Sequence, residues 1–336
     1  MKLNTHYLGL NLRTPLVPSA SPLSESIGNI RAMEDYGAGA VVMYSLFEEQ
    51  IEHESLELDH YLTAGTESFA ESLSYFPDMG SYLTGPDQYL EKLHAASQAV
   101  DIPIIASLNG ASPGGWTSYA QKMEQAGACA IELNLYSIPA DLDLSASVVE
   151  ERYLTVVGQV RQSVSIPVAV KISPYLTATA HFCQELCRAG ASGIVLFNRF
   201  YQPDIDIYSL EVQPKLKLST ADDIRLPLRW IAMLYGRIPA DLALTSGVHT
   251  YQDALKGLMA GASVTMMASE LLKNGLIRIK EVKEAMTQWM VEYEYDSVEQ
   301  LQGSMSQIHV ADPSAFERAN YMHVLKSWRE DPKGLV

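Results

Sequence analysis

The chain has 336 residues, 47% of them apolar and 19% charged, with 24 Lys+Arg against 40 Asp+Glu and a net charge of −16. That composition supports a sizeable core and excludes a disordered chain. The acidic balance makes nucleic acid and anionic lipid unexpected partners.

The N-terminal stretch Met1–Pro15 has no uninterrupted apolar segment and no small-residue cleavage site, so no signal peptide is expected. No run of about 18 apolar residues occurs, so no membrane span is expected. Within that stretch, Leu3–Leu12 alternates around Leu8-Gly9, which predicts a hairpin.

Two phrases then recur along the chain. One is a proline leading into an apolar run, at Pro15, Pro103, Pro167 and Pro239. The other is Gly-Ala leading into an apolar run, at Gly37-Ala38, Gly127-Ala128, Gly190-Ala191 and Gly261-Ala262. They alternate strictly, with 23, 25, 24 and 23 residues from each Pro to the following Ala. Glycine just past a helix terminates it in a left-handed conformation, and proline at a strand's first residue costs no interior ladder bond.

Helical patterns lie between the phrases at 24–36, 116–126, 178–189 and 251–260. Eight strands follow, at about 16–20, 39–44, 103–108, 129–135, 167–172, 192–197, 241–245 and 262–267. They are apolar with little alternation, as parallel strands covered on both faces should be. The expected fold is an α/β (β/α)₈ TIM barrel with the N-terminal hairpin at its bottom. An open doubly wound sheet fits less well, because Pro18-Ser-Ala-Ser-Pro22 after the first strand holds no glycine. Helices are expected from about residue 270, at 276–290 and 297–302, and residues 1–336 read as a single domain.

Three connections exceed what a barrel needs, 45–84, 136–146 and 198–221, and all follow carboxyl ends of strands, the catalytic face of this fold. Each reads as a lid or binding segment, or as decoration or an oligomer contact. Cys129, Cys183 and Cys187 are too few for a disulfide framework and point to a reducing compartment, so a cytoplasmic location is expected. No Cys-x-x-Cys, acidic pair or His cluster suggests an iron–sulfur cluster or a metal.

The strand ends carry the candidate chemistry. Lys171 closes the apolar run of the fifth strand, where it either stabilises negative charge on a ligand or snorkels to solvent. Ser107 and Asn109, then Glu132, Asn134 and Ser137, and Asn198 with Arg199 end neighbouring strands. These groups suit hydrogen bonding to a polar ligand; asparagines also cap loops. Ser246-Gly247 and Ala268-Ser269 follow the last two strands, where this fold cradles a phosphate.

Glu132-Leu-Asn134-Leu, Val170-Lys171-Ile-Ser-Pro174-Tyr175 and Ser246-Gly247-Val248 with Asp253-Ala254 and Gly261-Ala262 resemble the class 1 dihydroorotate dehydrogenases, FMN barrel enzymes of pyrimidine biosynthesis. The resemblance runs from about residue 3 to 290. It implies an FMN-dependent oxidoreductase acting on a CH–CH group, taking dihydroorotate to orotate. It sets Ala20 and Ser21 against the flavin by their backbone, Lys171 at its N1/O2 edge, and Ser107, Asn134 and Asn198 near flavin or substrate. Ser246-Gly247 and Ala268-Ser269 then hold the phosphate, Asn109, Asn134, Asn198 and Arg199 contact substrate, and Ser137 stands where the family has its catalytic base.

Departures are visible too. Val42-Met43-Tyr44-Ser45 stands where the family has a flavin-contacting lysine. The first long loop offers only Asp78-Met-Gly80 for the family's asparagine-rich phrase, and Ile138-Pro139 replaces Pro-Asn. Alternative expectations are therefore an FMN oxidoreductase on another small molecule and a non-catalytic FMN-binding barrel. The expected partners are a small-molecule substrate, a soluble electron acceptor or redox partner protein, and a second copy of the chain in a homodimer.

Overall fold

The computed structural model describes residues 1–50, 85–110, 116–199, 202–213 and 215–322. Each proline phrase opens a parallel strand, and each Gly-Ala phrase ends a helix. The four glycines have φ of 98°, 102°, 108° and 123°. Around them the backbone closes the same pair of bonds: Gly37 N–H to Glu34 O and Ala38 N–H to Met33 O, repeated at Gly127, Gly190 and Gly261. This is the bonding that ends a helix on a left-handed residue, and it turns the chain straight into the next strand.

The strands are β1 (Thr5–Tyr7), β2 (Leu10–Leu12), β3 (Leu16–Pro18), β4 (Val41–Phe47), β5 (Ile104–Gly110), β6 (Ala130–Leu135), β7 (Val168–Ile172), β8 (Gly193–Leu196), β9 (Asp204–Asp206), β10 (Glu211–Gln213), β11 (Asp241–Thr245) and β12 (Val264–Met267). Eight of them form one sheet in the order β3-β12-β11-β8-β7-β6-β5-β4, with every pair parallel. Its two ends meet where Gly39 N–H donates to Leu16 O at 2.9 Å. A Cβ on Gly39 would lie 2.0 Å from Thr14 O, so only glycine permits that approach. The eight strands and their helices form the (β/α)₈ barrel.

The packing helices are α1 (Ile27–Asp35), α2 (Pro86–Ala99), α3 (Trp116–Gln125), α4 (Ala146–Ser163), α5 (Thr179–Arg188), α6 (Arg225–Leu234) and α7 (Tyr251–Ala260), followed by α8 (Ser269–Asn274), α9 (Arg278–Glu292) and α10 (Val298–Leu301). Alternate strand residues serve two cores. Ile131, Leu133 and Leu135 of β6 and Val168, Val170 and Ile172 of β7 pack toward helices. Ala130 and Ala169 belong instead to the inner cluster at the barrel bottom.

The β1–β2 hairpin completes that inner cluster with Tyr7, Leu8 and Leu12. Leu8 N–H donates to Asp241 Oδ2 at 2.6 Å, and Gly193 leaves room for the Leu8 side chain. Small strand residues and a two-residue turn therefore let the hairpin plug the bottom. One step up each strand the inward residues turn polar: Ser107 on β5, Glu132 on β6 and Lys171 on β7, all buried. The barrel thus grades from a dry base to a polar upper end.

Two connections differ from plain loops. The strand after the first Gly-Ala runs on to Phe47, with a register shift between Val42 and Ser45. Segment 198–221 carries the antiparallel β9–β10 hairpin, which exposes Ile205, Ile207, Tyr208, Leu210 and Val212. Segment 136–145 has no helix or strand. Most of the first long connection, including Asp78-Met-Gly80, lies outside the described residues. No helix among the described residues is long and apolar enough to cross a membrane.

Candidate active site

A cavity of about 670 Å³ opens at the carboxyl ends of the strands, the size of a cofactor or drug-sized ligand site. Ala20, Ser21, Asn109, Lys171, Asn198, Arg199, Ser246, Gly247, Ala268 and Ser269 all line it. They come from six separate strand ends, which only barrel closure brings together. Ser107, Asn134 and Ser137 are not among its lining residues.

Lys171 is 7% exposed. Its Nζ lies 3.4 Å from Glu132 Oε1 and 3.4 Å from Ser19 Oγ. Glu132 is 1% exposed, and its Oε2 has no hydrogen-bond partner among the described residues. A buried ion pair offsets its desolvation only with good geometry and full hydrogen bonding. Here both contacts are long and one carboxylate oxygen is orphaned. The pair is poorly designed for stability and well placed to hold a cation against the cavity. Below it, Tyr7 Oη is also without a partner; burial first, then the charges of Glu132 and Asp241, push its pKa well up, so it stays protonated.

Asn134 and Ser107 form the shelf beside this pair. Asn134 Nδ2 donates to Ser107 Oγ at 2.9 Å and to Ser45 Oγ at 3.5 Å, and the two serine hydroxyls are 2.8 Å apart. Tyr89 of α2 fixes Ser107 by accepting its N–H at 3.0 Å and donating to its carbonyl at 3.2 Å. Met43 is fully buried in the outer core beside Val41, and the register shift in β4 turns Ser45, in place of Tyr44, toward Ser107 and Asn134. Within the stretch 42–45 it is thus a serine that faces the barrel interior at this level.

Ser137 is half-buried on the segment after β6, and its Oγ is 2.7 Å from the hydroxyl of Tyr153 on α4. Its neighbour Tyr136 lines the cavity.

At the opposite end, Ser246 and Gly247 have φ of 76° and 79°. Two left-handed residues in succession, one of them not glycine, store strain of the kind concentrated at ligand clamps. A Cβ on Gly247 would lie 2.3 Å from Ile224 N, so the turn is pressed onto the segment preceding α6. Ser269 Oγ accepts from Ser219 N–H at 3.0 Å. Ser219 Oγ is 3.1 Å from His249 Nε2, and His249 Nδ1 is 3.0 Å from Glu270 Oε2. Glu270 Oε1 in turn accepts from Arg278 Nε at 2.6 Å. Burial pushes the Glu270 carboxyl up, but hydrogen bonds from His249, Arg278 and Asn274 outweigh it and hold its pKa below the ordinary value.

The lining is electrostatically one-sided. It carries Lys171, Arg199, Lys215 and Lys217 and, among the described residues, no aspartate or glutamate. In a chain of net charge −16, that contrast marks an anion site. Arg199 is partly engaged by Asp223, 3.3 Å away. No group of three or more His, Cys, Asp or Glu that could hold a metal occurs among the described residues.

Sequence reading missed Glu132 as the partner of Lys171, together with Lys215, Lys217, Ser219, His249 and Glu270. The alternation in β6 points Glu132 inward once the strand is placed. Nothing in the sequence pairs residues 219, 249 and 270.

Comparison with known proteins agrees with this geometry. Residues 69–290 match the family model described as dihydroorotate dehydrogenase. A protein of Aeropyrum pernix, provisionally named dihydroorotate dehydrogenase A (fumarate), is 28% identical over 57% of this chain and 64% of its own length. The dihydroorotate dehydrogenase B (NAD(+)) catalytic subunits of Thermoplasma volcanium and Thermoplasma acidophilum are 26% and 25% identical over 90% of this chain, covering 97% and 98% of theirs. With more than half of the chain matched, this protein belongs to the dihydroorotate dehydrogenase family of flavin-dependent oxidoreductases, whose cofactor is FMN.

Proposed function

We propose that the protein dehydrogenates a CH–CH group of a small carboxylated molecule in the cavity above Lys171. The residues fit FMN. A buried cation stands at the inner end, hydroxyl-bearing turns stand at the other, and the volume between them suits one mononucleotide. When bound, FMN supplies the hydride acceptor. Ala20 and Ser21 flank it, and Ser246-Gly247 and Ala268-Ser269 hold its phosphate.

Lys171, itself only 7% exposed, lends positive charge where reduction places negative charge. Glu132 keeps that cation in place. Ser107, Asn134 and Asn198 orient the reacting partners; Asn109 and Arg199 hold the substrate carboxylate. Ser137 accepts the proton from the substrate carbon and passes it to water, because a serine alkoxide is too basic to persist, and the Tyr153 hydroxyl 2.7 Å away orients its Oγ.

The observation that carries this reading is the buried, under-bonded Lys171–Glu132 pair facing a cavity whose described lining holds no carboxylate. Its test is direct: purified protein should be yellow and release FMN rather than FAD on denaturation. Colourless protein that fails to take up added FMN sinks it.

Dihydroorotate, named in the relatives, is the first substrate to assay. The relatives aligned along 90% of the chain are named for NAD(+) and as catalytic subunits, which supports electrons leaving through a partner chain to NAD(+). Reoxidation by fumarate alone would exclude that route. A homodimer in the cytoplasm completes the reading; three cysteines outside any disulfide support the reducing compartment.

A further inference from the structure

Ser219, His249 and Glu270 come from three distant parts of the chain and form a hydrogen-bonded series ending at the cavity wall. Ser219 lines the cavity and is 9% exposed. Its own N–H is spent on Ser269 Oγ, 3.0 Å away, which leaves the Ser269 hydroxyl proton to point elsewhere. The Ser219 hydroxyl faces His249 Nε2 at 3.1 Å.

The direction of the Ser219 proton follows from the far side of the ring. Glu270 is an ionised carboxylate braced by Arg278, so it only accepts, and His249 Nδ1 must carry hydrogen. If the ring is neutral, Nε2 is an acceptor and the Ser219 proton is drawn toward it. The oxygen lone pairs of Ser219 then face the cavity and repel an anion. If the ring is an imidazolium, Nε2–H donates to Ser219 Oγ, and the Ser219 proton is released to the cavity. A phosphate offers only acceptors at neutral pH, so it selects the second arrangement.

We propose that Ser219, His249 and Glu270 form a proton-coupled clamp for the FMN phosphate, in which binding the phosphate is linked to protonation of His249. This rests on the reading that the phosphate lies at the Ser246-Gly247 and Ala268-Ser269 end. The other charged groups around His249 are Asp253 of α7, which accepts its backbone N–H and pairs with Lys256, and Arg278 of α9, which donates to its carbonyl and pairs with Glu281. None of them contacts the ring in the described structure. Glu270 does, so it is the group that sets the tautomer.

The test compares FMN with riboflavin, which lacks the phosphate, by flavin fluorescence quenching between pH 7 and 9. Free phosphomonoesters have their second pKa near about 6, so the ligand no longer titrates there. The wild-type preference for FMN should fall as pH rises from 7 to 9, by up to about tenfold per unit, while riboflavin affinity stays flat. His249→Gln supplies an amide N–H to Ser219 that does not titrate; it should keep a preference for FMN but lose the pH dependence. Ser219→Ala should lose about 10- to 100-fold of the preference, the worth of one hydrogen bond to a charged group, with riboflavin affinity unchanged as the control for folding. Calorimetry of the wild type in two buffers should show proton uptake with FMN at pH 8 and none with riboflavin. A pH-dependent preference that survives in His249→Gln, or an undiminished preference in Ser219→Ala, overturns the clamp. A wild type that binds the two flavins equally at pH 6 overturns the phosphate placement itself.

Discussion

Replacing Lys171 with alanine should cost both stability and redox function, and the two costs separate. The Lys171 side chain is 9% exposed and that of Glu132 1%, so solvent screens the pair little. Removing the cation leaves a buried carboxylate with neither oxygen well partnered, a loss of about 3–5 kcal/mol. Lys171→Ala should therefore lower the urea midpoint clearly. Adding Glu132→Gln removes the orphan charge and should recover most of that loss. It should not recover chemistry. A preorganised donor at developing negative charge is worth about 2.7–4 kcal/mol, or about 10²–10³ in rate. If Lys171 favours reduced flavin by about 2.8 kcal/mol, its loss should lower the two-electron potential of bound FMN by about 60 mV. Anaerobic spectroelectrochemistry reads the potential without any substrate, and stopped-flow bleaching of the flavin band reads the rate. A wild-type potential in Lys171→Ala would reduce Lys171 to a structural lysine. Recovery of rate in the double variant would show that the loss came from misfolding and not from the missing cation.

Four further outcomes are expected. Gly247→Ala should destabilise by about 1–3 kcal/mol and lower FMN occupancy, since it strains a φ of +79° and drives Cβ toward Ile224 N; unchanged melting and flavin content would show that the turn relaxes freely. Burial raises the Asp241 pKa above its ordinary 3.8, against the lowering effect of the Leu8 N–H, the Ser263 hydroxyl and His6. Folding stability should therefore fall as pH rises above about 4 through the folded pKa, and Asp241→Asn, which still accepts from Leu8, should flatten that slope; equal destabilisation at pH 4 and pH 7 contradicts this. Ser137→Ala should slow substrate-driven flavin reduction by about 10²–10⁴ and Tyr153→Phe by less, with wild-type rates in Ser137→Ala assigning the base elsewhere. Dihydroorotate should be oxidised inefficiently, because each polar edge left unpaired costs about 1–3 kcal/mol and the stretch 42–45, where the resemblance implies a flavin-contacting lysine, has none. Complete bleaching at micromolar dihydroorotate would show that Arg199, Asn109 or other residues compensate.

The barrel was legible because its punctuation is chemically forced. A left-handed residue must end each helix tightly enough to feed the next strand, and Gly-Ala does so four times with the same two backbone bonds. Proline at 15, 103 and 167 sits just before a strand, and its carbonyl still serves the neighbouring strand, as Pro103 O does for Val41 N–H and Pro167 O for Ile131 N–H. The expected strands at 103–108, 129–135, 167–172 and 241–245 accordingly agree with the observed ones within two residues. Segment 198–221 was less legible. Its β9 and β10 are three residues each and largely exposed, so no buried face imposes a period on the sequence.

The site divides along the same physical line. Residues at strand ends are placed by the strand, so ten of the expected positions arrive at one cavity once the barrel closes. Residues whose role depends on a side-chain partner are placed by packing, and there one-dimensional reading fails. Met43 and Ser45, two apart and so on one face of a regular strand, end on opposite faces because of a register shift that no residue between them announces. Ser137 turns to Tyr153, sixteen residues on, because α4 folds back behind β6. Glu132 meets Lys171 because inward positions on β6 and β7 stand side by side, with Asn134 in register with Lys171 and Glu132 one inward step below it. A family resemblance gathers strand-end residues and says little about such pairings. The pairings decide whether a cation is held for structure or for chemistry, and the long, incomplete bonding of Lys171 and Glu132 argues for chemistry: a pair selected for stability alone would have closed to bonding distance and satisfied Oε2.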